Sequence, residues 1–114
     1  MNIELAKLEK EHPELFAEAY ETVKQGRVKK YLFKPGERVR WVVVGRTRDY
    51  LVVPAAGFCT CEDFFFRVMS HEKPMCYHLL AVKIAELTEK YTVIEESVSW
   101  HDRLMEEWVF YGKA

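Results

Sequence analysis

Cys59-Thr60-Cys61 and Cys76-Tyr77-His78 bracket fourteen residues, which gives the chain the spacing C-x-C-x14-C-x-H. Three thiolates and one imidazole suit tetrahedral Zn²⁺, and four protein ligands describe a closed structural site rather than an open catalytic one. In an extended or knuckle-like stretch, residues two apart point the same way, so Cys59 and Cys61 can grip one ion. Cys76 and His78 fall at the mouth of a helical pattern that begins near Leu79, where free backbone N–H groups and the helix dipole favour thiolate over thiol. Pro74 stiffens the approach. His71, inside the intervening loop, stands as an alternative to His78 for the fourth ligand. The competing readings are weaker. A Cys59–Cys61 disulfide closes a very small strained loop, and thiols stay reduced in most cytosols, thermophiles excepted. No single cysteine is set apart as a nucleophile, and plain burial is the remaining alternative.

The rest of the chain supplies elements to frame such a site. Residues 3–25 read as helix, interrupted at His12-Pro13 because proline damages a helix interior but suits a first turn. Phe16, Ala19, Tyr20 and Val23 form an apolar stripe, and Gly26 is a natural stop. Val28–Phe33 suits a strand before the Pro35-Gly36 turn. In Arg38–Val44, Val39, Trp41 and Val43 alternate with Arg40, Val42 and Val44, and Tyr50–Val53 follows a turn, so a hairpin is expected. Leu79–Lys90 carries a broad apolar helical stripe. Trp100, Leu104 and Trp108 repeat a helical spacing in the tail. The expected fold is α+β: one domain over 1–114, with a helical segment 1–33, a zinc-finger core 38–90 and a helical tail 91–114.

Charge is unevenly placed although the net value is −1. Between Lys24 and Arg48 nine basic residues face one acid, whereas the flanking helical segments are acidic. Arg27, Lys29, Lys30, Lys34, Arg38, Arg40, Arg46 and Arg48 are therefore candidate phosphate contacts. Tyr31, Phe33, Trp41 and Tyr50 are interleaved with them as candidate stacking rings or as hairpin core. Trp100, Leu104 and Trp108 are either core or anchors for a protein partner. Phe64-Phe65-Phe66 is too apolar for a free loop. At 49% apolar residues the chain buries a real core, and it shows neither a membrane-length apolar run nor a signal peptide. A cytoplasmic protein is expected, nucleoid-associated if archaeal. One Asn and one Gln amid 31% charged residues suggest a thermophilic source. Nucleotide-binding, nucleophile-elbow and metalloprotease motifs are absent, so an enzyme is not expected.

The order hairpin, Cys59-Thr60-Cys61-Glu62-Asp63-Phe64, insert, then Cys76-Tyr77-His78-Leu79-Leu80-Ala81 resembles the SWIM zinc finger. The CxHxxA form resembles the SWIM subunits of Shu-type complexes of eukaryotes and archaea. The resemblance spans roughly Arg38 to Ala85. It implies one structural zinc on Cys59, Cys61, Cys76 and His78, with Ala81 packed beneath, in a ββα-type core flanked by helices. It further implies DNA-binding or protein-binding roles and partnership with paralogues of the RecA/RadA recombinase in homologous recombination and DNA repair. Tyr77 stands where many SWIM sequences have a basic residue, which weakens a phosphate role there. Two functions follow as expectations: an adaptor for such a recombinase, or a stand-alone DNA-binding module or regulator.

Overall fold

The break at His12-Pro13 produces two helices, α1 (Ile3–Glu11) and α2 (Pro13–Lys24), with proline in the first turn of the second. A computed structural model describes residues 3–36, 38–45, 48–61 and 75–110. Gly26, at φ +70°, ends α2 and turns the chain into β1 (Val28–Lys34). β1 pairs antiparallel with β2 (Arg38–Val44), and β2 with β3 (Asp49–Val53). A short 3-10 turn, Pro54–Ala56, and Gly57 in the left-handed region bring β4 (Phe58–Cys59) back along β3. Then come α3 (Tyr77–Thr88), β5 (Thr92–Ser97) and α4 (His101–Phe110). The strands form one sheet of order β4-β3-β2-β1-β5.

The α+β expectation holds, with the hairpin as β2–β3 and the helical stripe from Leu79 in α3. The helical tail over 91–114 needs a correction, because residues 92–97 form strand β5, parallel to β1. Thr92, Val93 and Ile94 are β-branched and favour extended backbone, and β1 offers them an open ladder. Helix resumes only at His101.

Strand alternation places two cores on opposite faces of the sheet. On one face Val28, Trp41, Val43 and Val52 meet α2 and α3 through Phe16, Ala19, Val23, Leu80 and Ile84. On the other, Phe33, Val42 and Leu51 pack against Trp108 of α4. Val42, on the face opposite Trp41 and Val43, is also fully buried because α4 covers that face. The sheet is thus a middle layer between helices.

Candidate metal centre

The edge of the sheet and the start of a helix meet at one place. Cys59 ends β4, and its register partner is Val52. Thr60 extends the pairing: its N–H donates to the Leu51 carbonyl at 3.1 Å, and its hydroxyl accepts the Leu51 N–H at 3.1 Å. The Arg48 guanidinium donates to the Thr60 carbonyl. With Thr60 held by all three groups, Cys59 and Cys61 project to the same side. Cys76 is the N-cap of α3, and His78 lies in its first turn. Ala81 is fully buried, as are Cys59 and Cys76.

The ligand atoms of Cys59, Cys61, Cys76 and His78 all lie within 4.8 Å of one another. All four residues are buried, and the three cysteines carry no disulfide. Neither His78 ring nitrogen has a hydrogen-bond partner, which is costly for a buried imidazole unless something coordinates it. The thiols point the same way. Contacts with Cys61 and Cys76, together with burial, push the Cys59 thiol far above its ordinary value. Cys76 is pushed up to about 12: contact with Cys59 lowers it, but contact with Cys61 and burial outweigh that and the lowering from the Leu79 backbone. Three thiols so close cannot all ionise unaided, whereas a divalent cation turns the same crowding into coordination. The four donors fit one metal ion, with no protein-free position in a tetrahedral arrangement. His78 therefore completes the cluster; His71 and Phe64-Phe65-Phe66 lie outside the described residues.

Residues that the spacing alone does not reveal support the His78 ring. The Tyr50 ring lies 4.4 Å from it and Tyr77 3.9 Å, while the Arg48 guanidinium stacks 4.6 Å from Tyr50. Gly45 allows this arrangement, since a Cβ there would stand 2.6 Å from both the Arg48 carbonyl oxygen and the Tyr50 ring. The signal in the sequence was the bare glycine before Arg46.

The basic run does not gather into one surface. Strand parity sends Lys30 and Lys34 to the α2/α3 side and Lys29, Arg38 and Arg40 to the α4 side. Several are already engaged. Arg27 Nε donates to the Val44 carbonyl at 2.6 Å, and Lys34 pairs with Glu95 at 3.2 Å. The Lys30 ammonium sits over the Trp41 and Tyr91 rings at 5.4 and 5.6 Å, and Arg48 holds Thr60. Arg38 approaches His101 Nδ1 at 3.5 Å, and Arg40 donates to the Val39 carbonyl at 2.7 Å. Lys29 reaches Thr92 at 3.5 Å. Arg46 lies outside the described residues. On the α4 side the surroundings are acidic: burial, then Asp49, Glu96 and Glu107, raise the Tyr31 hydroxyl's pKa. A cleft of about 470 Å³ beside the metal ligands sets Glu18 and Glu21 across from Arg27 and Tyr77, so it is no phosphate cradle.

The aromatics divide as well. Trp41 is 8% exposed and Phe33 fully buried, so both belong to the core. Trp108 is 1% exposed and also core, Leu104 packs half-buried against it, and Trp100 is 46% exposed with Arg103 over its ring at 5.2 Å. Of the three tail residues, Trp100 alone presents a large free surface.

No family profile and no solved structure matches the chain. Two curated relatives do. An uncharacterized protein of Archaeoglobus fulgidus is 38% identical over 77 residues, which cover 68% of this chain and 58% of the relative. A zinc finger SWIM domain-containing protein 7 homolog of Dictyostelium discoideum is 30% identical over 77 residues, covering 66% of this chain and 49% of the relative. The chain therefore spans about half the length of the curated relatives it matches. The buried Cys₃His cluster and the similarity to a SWIM protein together support a SWIM-like zinc finger. Among the described residues no helix is long and apolar enough to cross a membrane.

Proposed function

We propose that the chain is a non-enzymatic adaptor with one structural Zn²⁺, which docks a RecA/RadA-family recombinase paralogue in homologous recombination and DNA repair. Zinc on Cys59, Cys61, Cys76 and His78 clamps the β3–β4 edge to α3, and no coordination position is left for a substrate. The observation that carries the adaptor reading over a stand-alone DNA module is the scattering of the basic side chains. They divide between both faces of the sheet, and Arg27, Lys34 and Arg48 are bound within the molecule. A module that binds DNA by itself needs its cations on one surface. DNA contact, if made, is then shared with the partner.

The test titrates zinc-loaded protein against single-stranded and forked DNA by fluorescence anisotropy at two salt concentrations, alongside pull-down of a RadA paralogue. The adaptor reading expects weak DNA binding alone and a stable complex with the paralogue. Tight binding by the chain alone, with log K falling by roughly 0.9 per phosphate contact against log salt, would instead make it a DNA-binding module.

A further inference from the structure

The sheet ends differently on its two sides. At the metal side β4 is two residues long and its knuckle is held by Thr60 and Arg48. At the other side β5 is six residues long, contains no proline and has β1 as its strand neighbour. A terminal strand exposes an outer row of backbone N–H and C=O groups. Among the described residues no turn, loop or cap bonds to the β5 backbone. Such edges are ordinarily blunted by proline, a bulge, shortness, a covering element or charge. Among the described residues only charge is present, in Glu95 and Glu96, and Lys34 offsets the first of these at 3.2 Å.

Among the described residues the sheet face beside this edge is also only partly covered. Cross-strand rows on the α2/α3 side run Val93–Lys30–Trp41 and Glu95–Leu32–Val39. The helices bury Trp41 but stop short of the outer end of that row and of the second row. Val93 is 49% exposed, Val39 36%, and Leu32 is half-buried. Val93, Leu32 and Val39 thus form a partly exposed apolar diagonal from the edge two strands into the sheet, flanked by Lys30 and Glu95. It lies next to outer backbone groups of β5 that have no partner among the described residues.

We infer that β5 is a strand-addition site for an extended segment of a protein partner, in which an apolar pair adjoins a basic pair. Main-chain hydrogen bonds to β5 supply affinity and side chains supply selection, as in other β-augmented complexes. The β5 sequence sets the complement. Residues opposite Val93 and Ile94 must be apolar, and residues opposite Glu95 and Glu96 must be basic, one on each face of the sheet. A second copy of this chain fits poorly, because β5 pairing with itself brings four carboxylates onto two adjacent strands. The inference rests on the adaptor reading for the existence of a protein partner, but its geometry stands apart from that partner's identity.

The test uses the full metal-loaded chain and two end-blocked peptides, Thr-Thr-Lys-Lys-Val-Val-Thr-Thr and its reverse, which cover antiparallel and parallel addition. Amide NMR and hydrogen exchange are expected to show at least one order binding, with exchange of amides in Thr92–Ser97 slowed tenfold or more. N-methylation of alternate peptide amides abolishes binding, and the double reversal Glu95→Lys/Glu96→Lys, at one exposed and one half-buried position, weakens it at least tenfold while the spectrum stays folded. Val93→Asp, distant from the metal, is a second folded control with the same expected loss. Failure of both orders to bind, protection confined to other strands, or indifference to charge reversal would overturn the inference, as would concentration-dependent self-association through β5 in sedimentation. A chain that binds the peptide but retains no recombinase paralogue keeps the edge site and loses the adaptor reading. Paralogue binding unaffected by the double reversal does the opposite.

Discussion

Replacing Trp108 with alanine is expected to unfold much of what Trp100→Ala leaves intact, although the two tryptophans share one helical spacing in the tail. Trp108 is 1% exposed, its ring lies 4.9 Å from Tyr31 and 6.4 Å from Phe33, and Val42 and Leu51 close the same cluster. Truncating a buried aromatic costs about 3–5 kcal/mol through lost transfer energy and the cavity left behind. Edge-on aromatic contacts of this kind add about 0.5–1.5 kcal/mol beyond burial. Val42, Leu51 and Phe33 lie in paired strands and cannot collapse into the gap, so we expect about 4 kcal/mol, a large share of the roughly 5–15 kcal/mol that domains possess. Trp100 is 46% exposed and has Arg103 over its ring, an exposed cation–π contact worth about 0.5–1 kcal/mol. Urea unfolding of both variants at fixed metal concentration, followed by far-UV circular dichroism, gives the two values. A gap below about 1.5 kcal/mol would refute the assignment of Trp108 to a cavity-forming core position. Preserved stability with lost partner binding in Trp108→Ala would return that residue to an interface.

Other outcomes follow from the metal end. In the metal-free chain Cys59 and Cys76 ionise above ordinary thiols, Cys76 at about 12. Unfolded cysteine ionises near ~8.5, so above that pH the folded state holds more protons than the unfolded state and stability falls as pH rises. Melting of the chelator-treated chain should therefore drop from about pH 8.5 upward while the metal-bound chain is spared; parallel curves would contradict this. Cys61→Ser should reduce metal content and lower the melting temperature, because coordination energy is folding energy in small metal domains; metal content by mass spectrometry and calorimetric melting check it. Gly45→Ala drives a methyl into the Arg48 carbonyl and the Tyr50 ring and should cost about 1–3 kcal/mol, read by thermal melting. Thr60→Val leaves the buried Leu51 N–H without its hydroxyl acceptor and should cost about 1–3 kcal/mol, with weaker metal retention in a competition assay.

The four metal donors were legible because their spacing encodes the chemistry itself, and local knuckle and helix geometry then brings them together. The hairpin was legible from the alternation of Val39, Trp41 and Val43. What covers its second face was not. Val42 and Leu51 announce apolar surface on that side, but the approach of α4 is a long-range event that no local period records. β5 was hidden for a related reason: its parallel partner β1 lies some sixty positions earlier, with Lys29 opposite Thr92. The β-branched Thr92-Val93-Ile94 run was the available signal, and the helical spacing from Trp100 onward masked it. The placement of the basic run was illegible for a simpler reason. Proximity along the chain suggested a single charged surface, whereas side chains in a strand alternate between faces.

Sheet order sets the metal cluster and β5 at opposite edges of the sheet, four strand spacings or about 19 Å apart. That distance separates two kinds of constraint. Substitutions at β5 can retune which segment docks without disturbing the donors, and the donors can stay invariant while the docking preference drifts. A protein arranged in this way can keep one fold through the divergence of its partners, with inheritance conservative at one margin and permissive at the other.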